Sequence, residues 1–201
     1  MQINKQIFSS FCTILYNFFN KISSRYNRIR TYWLCSVYHF PYSTSIGRNV
    51  SFKGVDDIHL SSNICFNQGC IIETWRRFKN YNFDSSIIIG DNCSFGEFTH
   101  ITSCNKVLIG RNVLIGRFVL ITDNSHGSFF DDLNIPPRDR TLYSKGPVII
   151  KDNVWIGDRV SILSGVSIGE NSIIATGAIV TKDVPANCIV AGCPAKIIKQ
   201  K

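Results

Sequence analysis

Five segments of the chain share one form: Ile46-Gly-Arg-Asn, Ile89-Gly-Asp-Asn, Ile109-Gly-Arg-Asn, Ile150-Lys-Asp-Asn and Ile168-Gly-Glu-Asn. Around them the sequence keeps a beat of six, with an aliphatic residue first, often Gly second, and a small or β-branched residue fifth. The cleanest run is Ile150-Lys-Asp-Asn-Val-Trp, Ile156-Gly-Asp-Arg-Val-Ser, Ile162-Leu-Ser-Gly-Val-Ser, Ile168-Gly-Glu-Asn-Ser-Ile and Ile174-Ala-Thr-Gly-Ala-Ile. Ile150 to Ile168 is 18 residues, three hexads, and Ile89 to Ile109 is 20. This period fits a parallel β-helix of triangular section, one hexad to a side. Ordinary alternating strands would not hold such a phase. The first residue of each hexad fills the interior, the fifth points inward near a corner, and the sixth faces outward. Gly is expected to supply the turn geometry that other residues resist. Successive coils stack about 4.8 Å apart, and no coil buries its face alone.

Two interruptions break the beat. Ile121-Thr-Asp-Asn-Ser-His ends on His126, and the next residue begins an excursion over 127–147 that carries Phe129, Phe130, Pro136 and Pro137. A long excursion inside a compact repeat is usually functional. As a sixth residue His126 projects outward, and one 20-residue coil back lie Lys106 and, under Ser125, Asn105. The forward step past the loop reaches Ser167. The other interruption, "ETWRRFKNYNFDSS" at 73–86, mixes aromatic and basic residues; it suits either contact with a sugar or acidic glycan, or a plain surface loop.

The net charge of +8 is unevenly placed. The first 55 residues hold seven basic and no acidic residues, the remainder fifteen basic against fourteen acidic. The excess therefore sits at the N-terminus and makes no basic groove through the repeats, which argues against nucleic acid. Residues 1–40 read as a separate amphipathic helical segment, with Ile3, Ile7, Phe8, Phe11, Ile14, Leu15, Phe18, Phe19 and Ile22 on one face. It is too polar to span a membrane and lacks the compact apolar run of a signal peptide. Its apolar face either covers the main domain or a neighbouring subunit, or lies on a membrane with Lys21, Arg25, Arg28 and Arg30 toward anionic lipid. The eight Cys include no C-x-x-C pair. Cys93 and Cys104 fall where the repeat wants a small inward residue, so a reducing, cytoplasmic compartment is expected.

From about residue 44 to 200 the chain resembles the hexapeptide-repeat acyltransferases, whose coils wind left-handed, against the usual crossover preference. "NVWIGDRVSILSGVSIGENSIIATGAIVTKDVPANCIVAGCPAKII" is especially similar to galactoside/maltose and polysaccharide (O-antigen or capsule type) O-acetyltransferases. The resemblance implies a mainly β fold, a left-handed parallel β-helix over 41–201, assembled as a homotrimer with active sites between subunits. Asp123-Asn124-Ser125-His126 matches the family's D-[HN]-x-H segment, which makes His126 the general base. Imidazole suits removal of a hydroxyl proton at neutral pH as the oxygen attacks the acetyl-CoA thioester. Asn105 matches an Asn that holds the acceptor or merely turns a corner, and Asp123 is a candidate to orient the histidine.

For acetyl-CoA, Trp155 would line the site from the neighbouring subunit. The backbone at Asp158, Ala175 and Thr176 would meet the pantetheine. Thr181, Lys182, Pro194 and Lys196 would lie near the adenine and phosphates. The function so implied is acetyl transfer to a hydroxyl of a sugar or cell-surface glycan precursor. The alternatives are acetylation of an amino sugar, free or nucleotide-linked, and a catalytically silent β-helix scaffold. A zinc site would need three convergent histidines, a spacing that His39, His59, His100 and His126 do not offer, so no metal is expected.

Overall fold

The structure, a computed structural model, describes residues 2–128 and 134–201, and side chains at 13, 15, 17–19 and from 21 onward within that range. Phe129 and Phe130, and the side chains of Ile3, Ile7, Phe8, Phe11 and Ile14, lie outside it. A single long helix, α1 (Gln2–Tyr38), precedes a left-handed parallel β-helix that starts at Ser45. Three sheets of eight, six and five strands form its sides. The first residue of each hexad is buried: Ile46, Ile72, Ile89, Ile109, Ile121, Ile150, Ile156, Ile162, Ile168 and Ile174 are at most 1% exposed. Tyr38, Phe40, Phe52, Phe66 and Phe95 continue this interior as an aromatic column with centroids 4.8 to 5.6 Å apart.

The glycines of the Ile-Gly pairs work differently from the expectation. None has a positive φ; that conformation belongs to the residue two places on, an asparagine except at Phe118 and Arg159, at φ between 54 and 59°. Those glycines are required because the next coil passes too close: a Cβ on Gly47 would stand 2.7 Å from the Asn67 carbonyl carbon, and one on Gly116 2.4 Å from Asp158 Oδ1. Asn tolerates the left-handed turn, and its amide adds a bond. Asn63, Asn92, Asn112, Asn153, Asn171 and Asn187 form a ladder up one corner, each donating to the next at 3.0 to 3.2 Å.

The stacking steps locate the interruptions. Paired residues are 20 apart from Ile46 to Phe66 and from Phe95 to Ile115, and 18 from Ile156 to Ile174. The step is 29 from Phe66 to Phe95 and 41 from Ile115 to Ile156. Both excursions leave from the same corner, between the six-stranded and five-stranded sides.

Bonds between coils run both ways, Ser45 and Gly47 donating up to the Ile64 and Phe66 carbonyls and Gly69 down to that of Arg48, which leaves open the first-coil carbonyls that face away from the stack. Side chains of α1 fill them: Asn27 Nδ2 (3.2 Å), Arg30 (2.9 Å) and Thr31 Oγ1 (3.1 Å) all donate to the Ile46 carbonyl, and Arg30 also donates to Gly47. Arg30 therefore serves the fold and is not among the residues turned to an outside surface. Cys35 is buried on this side, with Leu34 and Tyr38 packed against the core. The helix stops where His39 turns left-handed (φ 56°) and the Phe40 N–H reaches back to the Cys35 carbonyl at 2.9 Å. At the other end Lys196–Gln200 pairs antiparallel with Cys188–Ala191.

Candidate active site

His126 is exposed at the mouth of the long excursion. Parallel pairing of its coil ends at Thr122, which lies over Thr102. Beyond it the chain turns out into a short antiparallel ladder, Ser125 opposite Tyr143 and His126 opposite Leu142. His126 thus stands on this ladder and not on the flat side of the coil. Ser167, expected above it, pairs with Ile149 on the five-stranded side. The excursion replaces the residues that would have carried the coil onward.

Asp123 explains why the chain departs there. One coil below, the Trp75 N–H donates to the Ser103 carbonyl. At the matching place Cys104 donates instead to the Asp123 carboxylate (2.8 Å), joined by the Asn105 N–H (2.9 Å), the Ser103 hydroxyl (2.6 Å) and Asn124 Nδ2 (3.1 Å). The side chain is fully buried. Its carboxylate takes the place of coil carbonyls, so it anchors the segment that carries His126 and makes no bond to the imidazole. Asp123, a candidate from sequence to orient the histidine, thus acts on the segment that bears the ring. A buried carboxylate needs such donors, since an uncompensated one would be very costly. Burial, with the Asp123 charge second, pushes the neighbouring Cys104 thiol up to about 12. Asn105 Nδ2 donates to Ser144 (3.4 Å), beside the strand that pairs with His126. It fastens the base of the excursion.

The shorter interruption is a hairpin, Arg77–Phe78 against Tyr81–Asn82. Phe78 meets the His126 ring edge-on at 5.6 Å and packs on Trp75 at 5.8 Å. Lys79 Nζ bonds Asp139 of the long excursion at 3.0 Å. Trp75 is itself fixed by Thr102 (3.2 Å) and covered by Lys53, 3.0 Å above its ring. The two interruptions therefore meet around the histidine. Sequence reasoning missed Phe78, Lys79 and Asp139. The signal was the phase: both excursions leave the repeat at one corner, so they must be neighbours.

On the far side of the ladder a cleft of about 360 Å³ runs from Asn124, Ser125 and Tyr143 past Lys145 to Ser164 and Thr181. Thr181 thus shares a cleft with the histidine segment, and Lys182 beside it is exposed. The other expected acetyl-CoA residues lie elsewhere. Trp155 is 52% exposed on the eight-stranded side. Asp158, Ala175 and Thr176 occupy the corner between the eight-stranded and six-stranded sides. The Asp158 carbonyl accepts from Gly177 N (2.8 Å) and the Ala175 N–H donates to Val190 (2.9 Å), so these two backbone groups already serve the coil. Pro194 and Lys196 are exposed near the last strand. Within one chain the six-stranded side separates Trp155 from His126.

The remaining histidines are apart from this site. His39 ends α1, His59 faces outward on the five-stranded side, and His100 pairs with Glu73 at 3.1 Å. Among the described residues no group of three His, Cys, Asp or Glu is placed to hold a metal.

Residues 147–182 match the family model described as Bacterial transferase hexapeptide (six repeats). The chain is 41% identical over 119 residues to a putative lipopolysaccharide biosynthesis O-acetyl transferase, WbbJ, of Escherichia coli (strain K12), covering 57% of this chain and 60% of that protein. It is 38% identical over 120 residues to the galactoside O-acetyltransferase of the same organism, covering 60% of this chain and 57% of the other. A crystal structure of the polySia specific acetyltransferase NeuO superposes with a TM-score of 0.57 at 32% identity, over 75% of this chain and 60% of that one. The chain spans less than two thirds of the length of each.

Proposed function

We propose, from the premise that these repeats belong to the hexapeptide-repeat transferases, that the protein moves acetyl from acetyl-CoA to a hydroxyl of a sugar or cell-surface glycan. One observation carries the reading. The exposed His126 stands where two otherwise unrelated interruptions converge, with an aromatic hairpin on one side and an open cleft on the other. The hairpin with Phe78 receives the acceptor, and the cleft toward Thr181 receives part of acetyl-CoA. The identities to two O-acetyltransferases at about 40% favour oxygen over nitrogen as the acceptor atom.

In the reaction, His126 takes the proton of the acceptor hydroxyl as its oxygen attacks the thioester carbonyl. Backbone N–H groups stabilise the resulting oxyanion. Collapse breaks the carbon–sulfur bond, the thiolate recovers the proton from the imidazolium, and ester and free thiol leave. Asp123 and Asn105 act before the chemistry, by fixing the segment and ladder on which the base stands. Trp155 reaches the site from a neighbouring copy in a homotrimer. Support for this assembly comes from an exposed apolar strip beside Trp155: Leu114, and Phe98 stacked on Phe118 at 5.1 Å. Free thiols at Cys35, Cys70, Cys93, Cys104 and Cys188, all buried, fit a reducing compartment such as the cytoplasm.

The test is thiol release from acetyl-CoA over a panel of sugars and envelope glycans, with wild type and His126→Ala. Acceptor-dependent release that falls by about 10²–10⁴-fold in the variant is expected for loss of a general base. Release unchanged by the substitution would assign the base elsewhere. An absence of both release and acetyl-CoA binding would leave a scaffold.

A further inference from the structure

The face of α1 that packs on the β-helix is not its apolar face. Asn27, Arg30, Thr31, Leu34, Cys35 and Tyr38 hold it to the first coil. Opposite them, Leu15, Phe18, Ile22, Tyr26, Ile29 and Trp33 are 38 to 70% exposed. Their spacing of three, four, four, three and four stays close to the 3.6-residue turn, so they form one straight stripe. From Leu15 to Trp33 it extends about 27 Å along the helix. Lys21, Arg25 and Arg28, all exposed, follow one edge of the stripe.

We propose that this stripe docks α1 flat on an anionic lipid surface, with the aromatic and aliphatic side chains in the interface and the three cations among the headgroups. The composition decides against the other occupant, the same helix of a second copy. The first 55 residues contain no Asp or Glu. A seam between copies would leave Lys21, Arg25 and Arg28 without a carboxylate to face, whereas a lipid phosphate supplies the opposite charge. Phe and Trp beside basic residues on a helix of low net hydrophobicity is the pattern of an interfacial helix. No described helix is long and apolar enough to cross a membrane, so the contact is peripheral. It is independent of the acetyl-transfer reading.

The full chain is floated with vesicles of equal parts phosphatidylcholine and phosphatidylglycerol, and with phosphatidylcholine alone, while light scattering follows its mass. The expected result is flotation with the anionic vesicles only. Lys21→Gln/Arg25→Gln/Arg28→Gln should weaken partition by on the order of a hundredfold, about fivefold for each charge. Phe18→Ser/Ile29→Ser should abolish it. Both sets change exposed positions and should leave circular dichroism and mass unaltered. No flotation with anionic vesicles, flotation that survives Phe18→Ser/Ile29→Ser, or a drop in particle mass in that variant would each overturn the proposal. The last would make the stripe a seam between copies.

Discussion

Asp123 shows how much one side chain can decide. Asp123→Ala would leave the Cys104 and Asn105 N–H groups without an acceptor and the buried Ser103 hydroxyl with only the Ser86 carbonyl at 3.3 Å. Loss of several such bonds costs about 3 kcal/mol. The variant should melt earlier and lose kcat, because the segment beneath His126 loosens; thermal melts beside steady-state kinetics check both. An intact melting temperature would show that the carboxylate anchors nothing. Burial also governs the thiols, pushing Cys70 up to about 11 and Cys104 up to about 12. Both stay protonated at pH 8, where only a thiolate would be alkylated. In the native protein iodoacetamide should therefore mark the exposed Cys193 and spare Cys70 and Cys104 until denaturant is added, as peptide mass mapping would record. At this scale the hexad phase made the inward isoleucines and the outward Trp155 legible. It misdirected on the glycines, whose role comes from the neighbouring coil and not from their own turn, and it did not reveal Asp123 as an acceptor for the coil below.

Between the two interruptions, the aromatic contact should outweigh the ion pair. Lys79 and Asp139 are 36% and 49% exposed, and such pairs contribute about 0–1 kcal/mol. Phe78 against His126 is a ring contact worth about 0.5–1.5 kcal/mol, and it sits where an acceptor must approach. Phe78→Ala should raise KM for the acceptor and lower kcat, with KM for acetyl-CoA little changed. Lys79→Ala should alter neither much. Two-substrate kinetics separate the cases, and equal effects of the two variants would mean that the hairpin acts only as a clasp. The β-helix itself could be read from sequence because its period is enforced by stacking. The hairpin could not, because its aperiodic residues gain their partners only when the coils bring two distant segments to one corner.

For the molecule as a whole, the separation of His126 from Trp155 has a direct consequence. If a site takes its base from one subunit and Trp155 from the next, two inactive variants can repair each other. His126→Ala and Trp155→Ala, unfolded together and refolded as mixed trimers, should recover about a quarter of wild-type activity, the share of interfaces left intact at random. Separately refolded and then combined, they should recover none. Recovery absent from the mixed sample would place both residues in one chain's site. Phe98 and Phe118 hold left-handed backbones, φ 59 and 54°, uncommon for bulky residues. Strain of that kind persists where surrounding contacts over-determine it, and a subunit interface along this corner would supply them.

The side chains that α1 sets against the first coil carry one more implication. A stack of coils is chemically a growing polymer: each layer is a template for an identical next one, and nothing in the repeat says where to stop. Asn27, Arg30 and Thr31 act as chain terminators, saturating the acceptors that a further layer would otherwise claim, and the reversed last strand does the same at the opposite end. Without α1 the first layer would be a live end while the last stayed capped, so exposed first layers would be left to pair with one another and the stack could not lengthen into a filament.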